Sequence, residues 1–387
     1  MLPNDAADHK ANRPGRRVLV WDHAGRGNLG DDLMRKGLRH LLAGSPWDVH
    51  FVGAPDNASA AGDGGSASSG RTSLLGGLRH CQELWFGPGT MLHDHGSRLR
   101  FRFSGFFRLF LAVLLCRLGG KTLRGVGLGI GPMRSSFARF LWRLASPSFQ
   151  WVSVRDAASS SFLPATTPCR IAADPALALP FPPWQPQHEP PLLGLCIAPA
   201  QTILHGRPLL DRDQAAKLVQ ALLAFARTHP GLRLEWLVGS RKRSEGDLSF
   251  CRRLCDRCQE AGLPGELLLC ASHEVLDHMR RWRAVVSVRY HGLLLGWGLG
   301  MPAVSLSYHP KCDRLAEEGG LHPGLRLSWP QFSADQLQQS LLQAWSMEHG
   351  AWAASPPGLK TRPDQVDPLA PSADSERLHA LLPAWPS

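Results

Sequence analysis

Residues 17–32 read RVLVWDHAGRGNLGDD: an apolar run, a turn with glycines at 25, 27 and 30, and two acids opening a helical pattern. A short Val- and Leu-rich run bounded by glycines has the signature of a buried strand, and acids inside a helix start suit its positive end. Strand, glycine loop and helix open an α/β domain that binds a nucleotide or a phosphate. The loop matches neither the dinucleotide fingerprint nor the P-loop, so a tight turn with Asp31 as helix cap stands beside the ligand-loop reading.

The alternation continues outward. A strand is predicted at 48–52, a flexible Gly/Ser/Ala-rich loop at 54–73, and a strand at 83–86. A long apolar helix, a strand at 121–128, a glycine-rich loop, a helix at 136–146 and a strand at 150–154 follow. The stretch PFPPWQPQHEPP at 180–191 crosses neither helix nor strand easily and marks the domain boundary. Beyond it come strands at 192–197, 233–237, 266–269 and 284–288, with helices at 214–228, 249–261, 274–280 and 291–299. The expected architecture is α/β, two Rossmann-like doubly wound domains in tandem, each a parallel sheet covered by helices. An N-terminal arm (1–16), a domain (17–180), a Pro-rich linker (181–191), a second domain (192–350) and a Pro-rich tail (351–387), amphipathic at 375–382, make up the chain.

With 387 residues the chain has room for two ordinary domains. Its 43 Lys and Arg against 32 Asp and Glu leave a formal charge of +11, which favours an anionic partner such as a phosphorylated metabolite, an acidic glycan or a membrane surface. Nucleic acid is not expected: the sequence has no basic block of five or more, no RNA-binding aromatic signature and no zinc-finger spacing. The nine cysteines are odd in number and sit in apolar runs, as reduced core thiols of a cytoplasmic protein do. Cys251, Cys255 and Cys258 share one helical face, but Phe250, Leu254 and Leu263 continue the stripe, which favours core packing over a metal site. The first seventeen residues lack the apolar core of a signal peptide. The most apolar run, 106–118, is interrupted by Arg108 and Arg117, is too short to span a bilayer, and reads as a buried helix. Arg98, Arg100 and Arg102, with Phe101 and Phe103 interleaved, fit a peripheral membrane contact.

Chemistry gathers where predicted strands end. Gly27, Asn28, Gly30, Asp31 and Asp32 form the first loop; Gly87, Pro88, Gly89 and Thr90 form a second that could line the same cleft. His93 and His95 lack a clear third ligand, so no metal site is expected. Gly129 and Gly131 lie in a third loop, GVGLGIGP (125–132), ahead of Arg155 and Asp156. An arginine at a strand end in a glycine-lined cleft can clamp a carboxylate or phosphate, or pair with Asp156 on the surface. The strongest local signal is Arg289-Tyr290-His291-Gly292 after the strand at 284–288, followed by Tyr308-His309-Pro310-Lys311 after the next. A histidine at a helix start suits proton transfer near neutrality; a core histidine is the alternative.

In their order, GNLGDD (27–32), GPGTMLHD (87–94), GVGLGIGP (125–132), SVRDAAS (153–159), ADPAL (173–177), VSVRYHG (286–292) and SYHPKC (307–312) resemble the polysaccharide pyruvyl transferase family, over roughly residues 17–325. The resemblance implies a glycosyltransferase-B-like fold and transfer of the pyruvate group of phosphoenolpyruvate, as a ketal, onto a sugar of a bacterial exopolysaccharide or cell-surface glycan precursor. The family's Arg-x-His motif falls on Arg289 and His291, its Arg-Asp motif on Arg155 and Asp156, and its lysine on Lys311. His291 is then the general acid, and Arg289, Arg155 and Lys311 hold phosphate and carboxylate. Asp31 or Asp32 would orient the acceptor hydroxyl. Tyr290 stands where the family usually has an apolar residue, and the glycine triplet is only GPG. No cofactor is implied beyond phosphoenolpyruvate as co-substrate. The acceptor is a saccharide, free or polyprenyl-linked, and the setting is the cytoplasm at the inner face of the membrane. A glycosyltransferase-B-type enzyme using a nucleotide sugar and a non-catalytic glycan-binding relative are the alternatives.

Overall fold

The computed structural model describes residues 16–53, 73–92, 105–131, 133, 135–186, 189–199, 208–242, 246–347 and 352–353. The loop expected at 54–73, save Ser73, His93, His95, Arg98, Arg100, Arg102, and the amphipathic stretch at 375–382 lie outside the described residues.

The chain forms two compact units. The first takes it to Asp22, resumes at Leu42 and runs to Arg170; the second takes His23–Leu41 and the chain from Ile171 onward. Strands β1 (Arg16–Trp21), β2 (Trp47–Phe51), β3 (Glu83–Phe86), β4 (Gly89–Leu92), β5 (Thr122–Ile130), β6 (Phe149–Val154) and β7 (Cys169–Ile171) build the first sheet. Its order is β2-β1-β3-β5-β6-β7, with β4 on β5, and the registers of β1 to β6 are parallel. Helices α2 (Leu74–His80), α3 (Gly105–Leu118), α4 (Ser136–Ala145) and α5 (Ala157–Ser160) belong to this unit. Every position of β3 is buried, as in a strand covered on both faces, and its one charged residue, Glu83, pairs with the buried Arg124 at 3.4 Å.

The second sheet is wholly parallel, in the order β10-β9-β8-β11-β12-β13. Its strands are β8 (Leu192–Cys196), β9 (Arg233–Leu237), β10 (Gly265–Leu268), β11 (Ala284–Ser287), β12 (Ala303–Ser307) and β13 (Arg326–Ser328). Between them run α6 (Pro208–Thr228), α7 (Asp247–Glu260), α8 (Val275–Met279), α9 (Tyr290–Gly298) and α10 (Pro310–Glu318), and α11 (Ala334–Ser346) closes the series. The remaining helix, α1 (Leu29–Leu42), leaves β1 yet buries Leu33 and Met34 in the second unit's core. Asn28 caps it: its Oδ1 accepts from the amides of Gly30 (3.0 Å) and Asp31 (3.4 Å). The helix therefore starts two residues before the Asp31 expected as cap, and Asp32 instead receives the Gly25 amide at 2.6 Å.

Four expectations change. The third glycine loop is mostly strand, since β5 continues through Gly129 to Ile130, and part of the second loop is β4. The Pro-rich stretch is no free linker: the chain changes unit at Arg170/Ile171, and 181–191 packs on the second unit. Trp184 Nε1 donates to the Trp282 carbonyl at 2.8 Å, and Gly298 has no room for a Cβ beside Phe181. Prolines forbid helix and sheet there, but the aromatics between them still bury. Helix α3 is not buried all round: Leu109, Ala112, Val113 and Cys116 face inward while Leu111, Leu114, Leu115 and Leu118 are exposed. No described helix is long and apolar enough to cross a membrane.

Cys251, Cys255 and Cys258 lie on the buried face of α7, and the Cys251 thiol donates to the Ile197 carbonyl. Burial pushes the Cys116, Cys251 and Cys258 thiols up to about 12, and those of Cys270 and Cys312 to about 11. Only the thiolate reacts with disulfide reagents. At about pH 8 such a reagent should modify the exposed Cys169 first, and reach the seven buried cysteines only after unfolding, as absorbance and peptide mapping would show.

Candidate functional site

The second sheet has the strand order of the dinucleotide-binding fold, reversing direction between β8 and β11. Ligands of such sheets bind beyond the strand ends at that reversal. Arg289 and His291 leave β11 there: Arg289 precedes the first turn of α9 and His291 is its second residue. The turn is drawn tightly onto the strand ends, for a Cβ on Gly292 would strike Ser287 and Cys196. Val288 donates its amide to the Cys196 carbonyl at 3.0 Å.

Two elements distant in sequence meet the His291 ring. A Cβ on Gly30 would fall on its Nδ1, so the last glycine of the first loop is the wall against which the imidazole rests. On the other side, Nε2 is buried, has no hydrogen-bond partner among the described residues, and lies 3.7 Å from Asp174 Oδ2. That is ion-pair range and beyond a hydrogen bond. Asp174 is buried; its other oxygen caps the short helix Pro175–Ala178 by accepting from the Ala176 amide at 3.0 Å. Gly37 of α1 abuts the Pro175 carbonyl with no room for a side chain, which locks α1, the Asp174 turn and α9 together.

The glycine loop is held at its other edge by the residues after β9. Leu29 donates to the Gly239 carbonyl at 2.9 Å, and Arg241 donates to the Gly27 carbonyl at 2.7 Å. Gly27 has φ of +82°, a conformation that glycine adopts without strain. A Cβ on Gly239 would touch Asp247 and Arg289, so the loop adjoins that pair. Arg289 grips Asp247 through both carboxylate oxygens, with Nε at 2.9 Å from Oδ2 and Nη2 on Oδ1. Asp247 has no exposed side-chain surface, and Arg289 retains 23%. Arg289 therefore stands on a buried anion as a fixed cation.

Lys311 reaches the same neighbourhood through Tyr290. Its Nζ lies 5.6 Å from the Tyr290 ring centre, and that ring meets His291 edge-on at 5.2 Å. His309 caps α10, its Nδ1 accepting the Lys311 amide at 3.2 Å. Tyr290 thus links the lysine to the histidine.

Arg155 belongs to the first unit. It is buried, and its Nη2 donates to Thr90 Oγ1 at 2.9 Å, against Gly129, whose missing side chain makes room for it. Gly89 pairs with Leu128 and Thr90 with Gly129 across β4 and β5. The Gly87 amide donates to the Trp21 carbonyl at 3.0 Å, and the Gly131 amide to the Leu92 carbonyl at 2.6 Å. Asp156 caps α5 through the Ser159 amide at 2.7 Å. The chosen residues thus form two clusters: Gly27, Asn28, Gly30, Asp31, Asp32, Arg289, His291 and Lys311 in the second unit; Gly87, Gly89, Gly129, Gly131 and Arg155 in the first. Sequence gives neither Asp174, which lies within the ADPAL run, nor Asp247 a role: each is an acid at a helix start, with no sign of its distant partner. Among the described residues no group of three His, Cys, Asp or Glu is placed to hold a metal ion.

No protein-family profile matches the sequence, and no curated protein matches it. Solved structures do. A Listeria monocytogenes protein assigned as UDP-N-acetylglucosamine 2-epimerase matches with TM-score 0.56 and 12% identity, over 88% of this chain and 92% of that one. S. aureus MnaA with UDP matches at 0.53 and 9%, over 88% and 92%. The Methanocaldococcus jannaschii UDP-GlcNAc 2-epimerase matches at 0.50 and 8%, over 87% and 94%. At such identities the likeness shows the fold: two parallel-sheet α/β units of the glycosyltransferase-B kind.

Arg289→Ala should strip the counter-ion from a buried carboxylate and lower stability by about 3–5 kcal/mol in denaturant titration, with Asp247→Ala in the same chain recovering part of the loss. Gly30→Ala puts a methyl group where the imidazole lies, in a helical turn that favours alanine. The His291 ring resonances should move in NMR spectra while far-ultraviolet circular dichroism stays unchanged.

Proposed function

We propose that this chain is a polysaccharide pyruvyl transferase. It takes pyruvate from phosphoenolpyruvate, places it as a ketal on a saccharide acceptor, and works in the cytoplasm at the inner face of the membrane. The observation that carries the reading is the His291–Asp174 pair at the strand reversal of the second unit, walled by Gly30. A carboxylate 3.7 Å from Nε2 on one side and the Gly30 backbone on the other hold the ring in one orientation, as proton transfer to a substrate carbon needs. The ordered motifs give the reaction its name; the pair gives it a proton.

In the reaction His291 delivers a proton to the methylene carbon of phosphoenolpyruvate while a sugar hydroxyl adds to the adjacent carbon. The proton shed by that hydroxyl restores the imidazolium. A second hydroxyl of the same sugar then displaces phosphate, its proton leaving with the phosphate, and the ketal closes. One enol phosphate and one diol become one ketal and one inorganic phosphate, with no oxidation or reduction. Lys311 and Arg289 supply positive charge beside the histidine for the carboxylate or phosphate; a role for Arg155, fixed on Thr90, rests on the family resemblance alone. The Asp32 carboxylate accepts the Gly25 amide, and both acids lie in the first turn of α1, where they suit the helix's positive end; this favours a structural role over deprotonation of the acceptor.

The second reading is an enzyme of the same fold acting on a nucleotide sugar, favoured by the likeness to the UDP-bound S. aureus structure. Incubation with phosphoenolpyruvate and a panel of free and polyprenyl-linked saccharides should release phosphate and add the mass of a pyruvate ketal to one of them. Calorimetric binding of UDP-sugars without binding of phosphoenolpyruvate would transfer the assignment to the second reading. His291→Ala should lower turnover at least about a hundredfold, and a variant near full rate would remove His291 from the chemistry.

A further inference from the structure

Helices α3 and α4 pack on one another, and each joins neighbouring parallel strands, so they cover one side of the first sheet. Both turn apolar side chains outward. Leu111, Leu114 and Leu118 recur at helical spacing on α3, with Leu118 77% exposed; Phe137, Phe140 and Leu144 do so on α4, each more than half exposed. Exposed apolar residues scattered singly are ordinary, but two adjacent helices displaying them in register mark a contact surface.

The charges set among them name the partner. Arg108 and Arg117 on α3 and Arg139 and Arg143 on α4 are exposed. Between Asp94 and Asp156 the sequence has eleven Lys and Arg and no Asp or Glu. Two copies of this face brought together would set arginine against arginine, since neither helix carries an acid. A nucleic acid would meet leucine and phenylalanine at the centre of its footprint. An anionic lipid surface satisfies both features, because headgroup phosphates take the arginines while the apolar side chains enter the acyl boundary. We propose that the α3–α4 face of the first unit is a docking surface for an anionic membrane. This holds whichever sugar chemistry the second unit performs, and it would place the enzyme where a lipid-linked acceptor is found.

Flotation of the full chain with phosphatidylcholine vesicles, with and without phosphatidylglycerol, tests the proposal without requiring catalysis. Binding is expected to the anionic vesicles, to be at least about tenfold weaker to the neutral ones, and to fall with added salt. The double variants Leu114→Ser/Phe140→Ser and Arg117→Ser/Arg143→Ser should each lose about tenfold or more with circular dichroism unchanged. Should either fail to fold, hydrogen–deuterium exchange of the unaltered chain on anionic vesicles must show protection in α3 and α4. No flotation, undiminished binding by both variants, absence of that protection, or a dimer that Leu114→Ser/Phe140→Ser converts to monomer would overturn the proposal.

Discussion

A helix pressed so closely on an imidazole that not even a methyl group fits between them is the constraint from which the second unit's geometry follows. Gly30 brings α1 onto His291, and Gly37 brings the same helix onto the Pro175 carbonyl. Those contacts fix Asp174 beside the ring, and the Asn28 cap with the Gly239 and Arg241 hydrogen bonds fixes the loop that leads into the helix. The histidine is thereby placed by backbone on one side and by a buried carboxylate on the other. Such walls hold a side chain better than a loop can.

Arg289 shows how a residue type can mislead. An arginine at a strand end invites a ligand anion, and the protein supplies one of its own in Asp247. The pair need not be idle in function, since a guanidinium held on a buried carboxylate keeps its position when substrate arrives. Its first effect is architectural: it ties the start of α7 to the end of β11, across the end of β8.

Much of the fold was legible because parallel sheets write themselves as apolar runs between glycines and helical periods. The short segments at 83–86 and 233–237, mostly apolar though they carry Glu83, Arg233 and Glu235, coincide with β3 and β9 at both ends. Strand β4 was hidden because Gly-Pro-Gly-Thr has turn chemistry whatever its environment. Helix α3 misled through its uniformity, for a run apolar all round carries no period to reveal which face is covered. The Pro-rich boundary failed because proline reports local conformation and says nothing of whether neighbouring aromatics bury. At the site, the glycines, Arg289, His291 and Lys311 were visible as residue types at strand ends. Asp174 and Asp247 were not, since pairing depends on which distant segments meet; Gly27 and Ser240, which also touch, are 213 positions apart.

Helix α1 is translated with the first unit and buried in the second. Its apolar stripe emerges from synthesis long before β8 and β11 exist to cover it, so closing this core waits on almost the whole chain, a costly long-range step. The break in contacts at Arg170/Ile171 is therefore no seam along which evolution could shuffle the parts. A half transplanted from that point would arrive without the helix that holds its histidine, and the two units are bound to be inherited together.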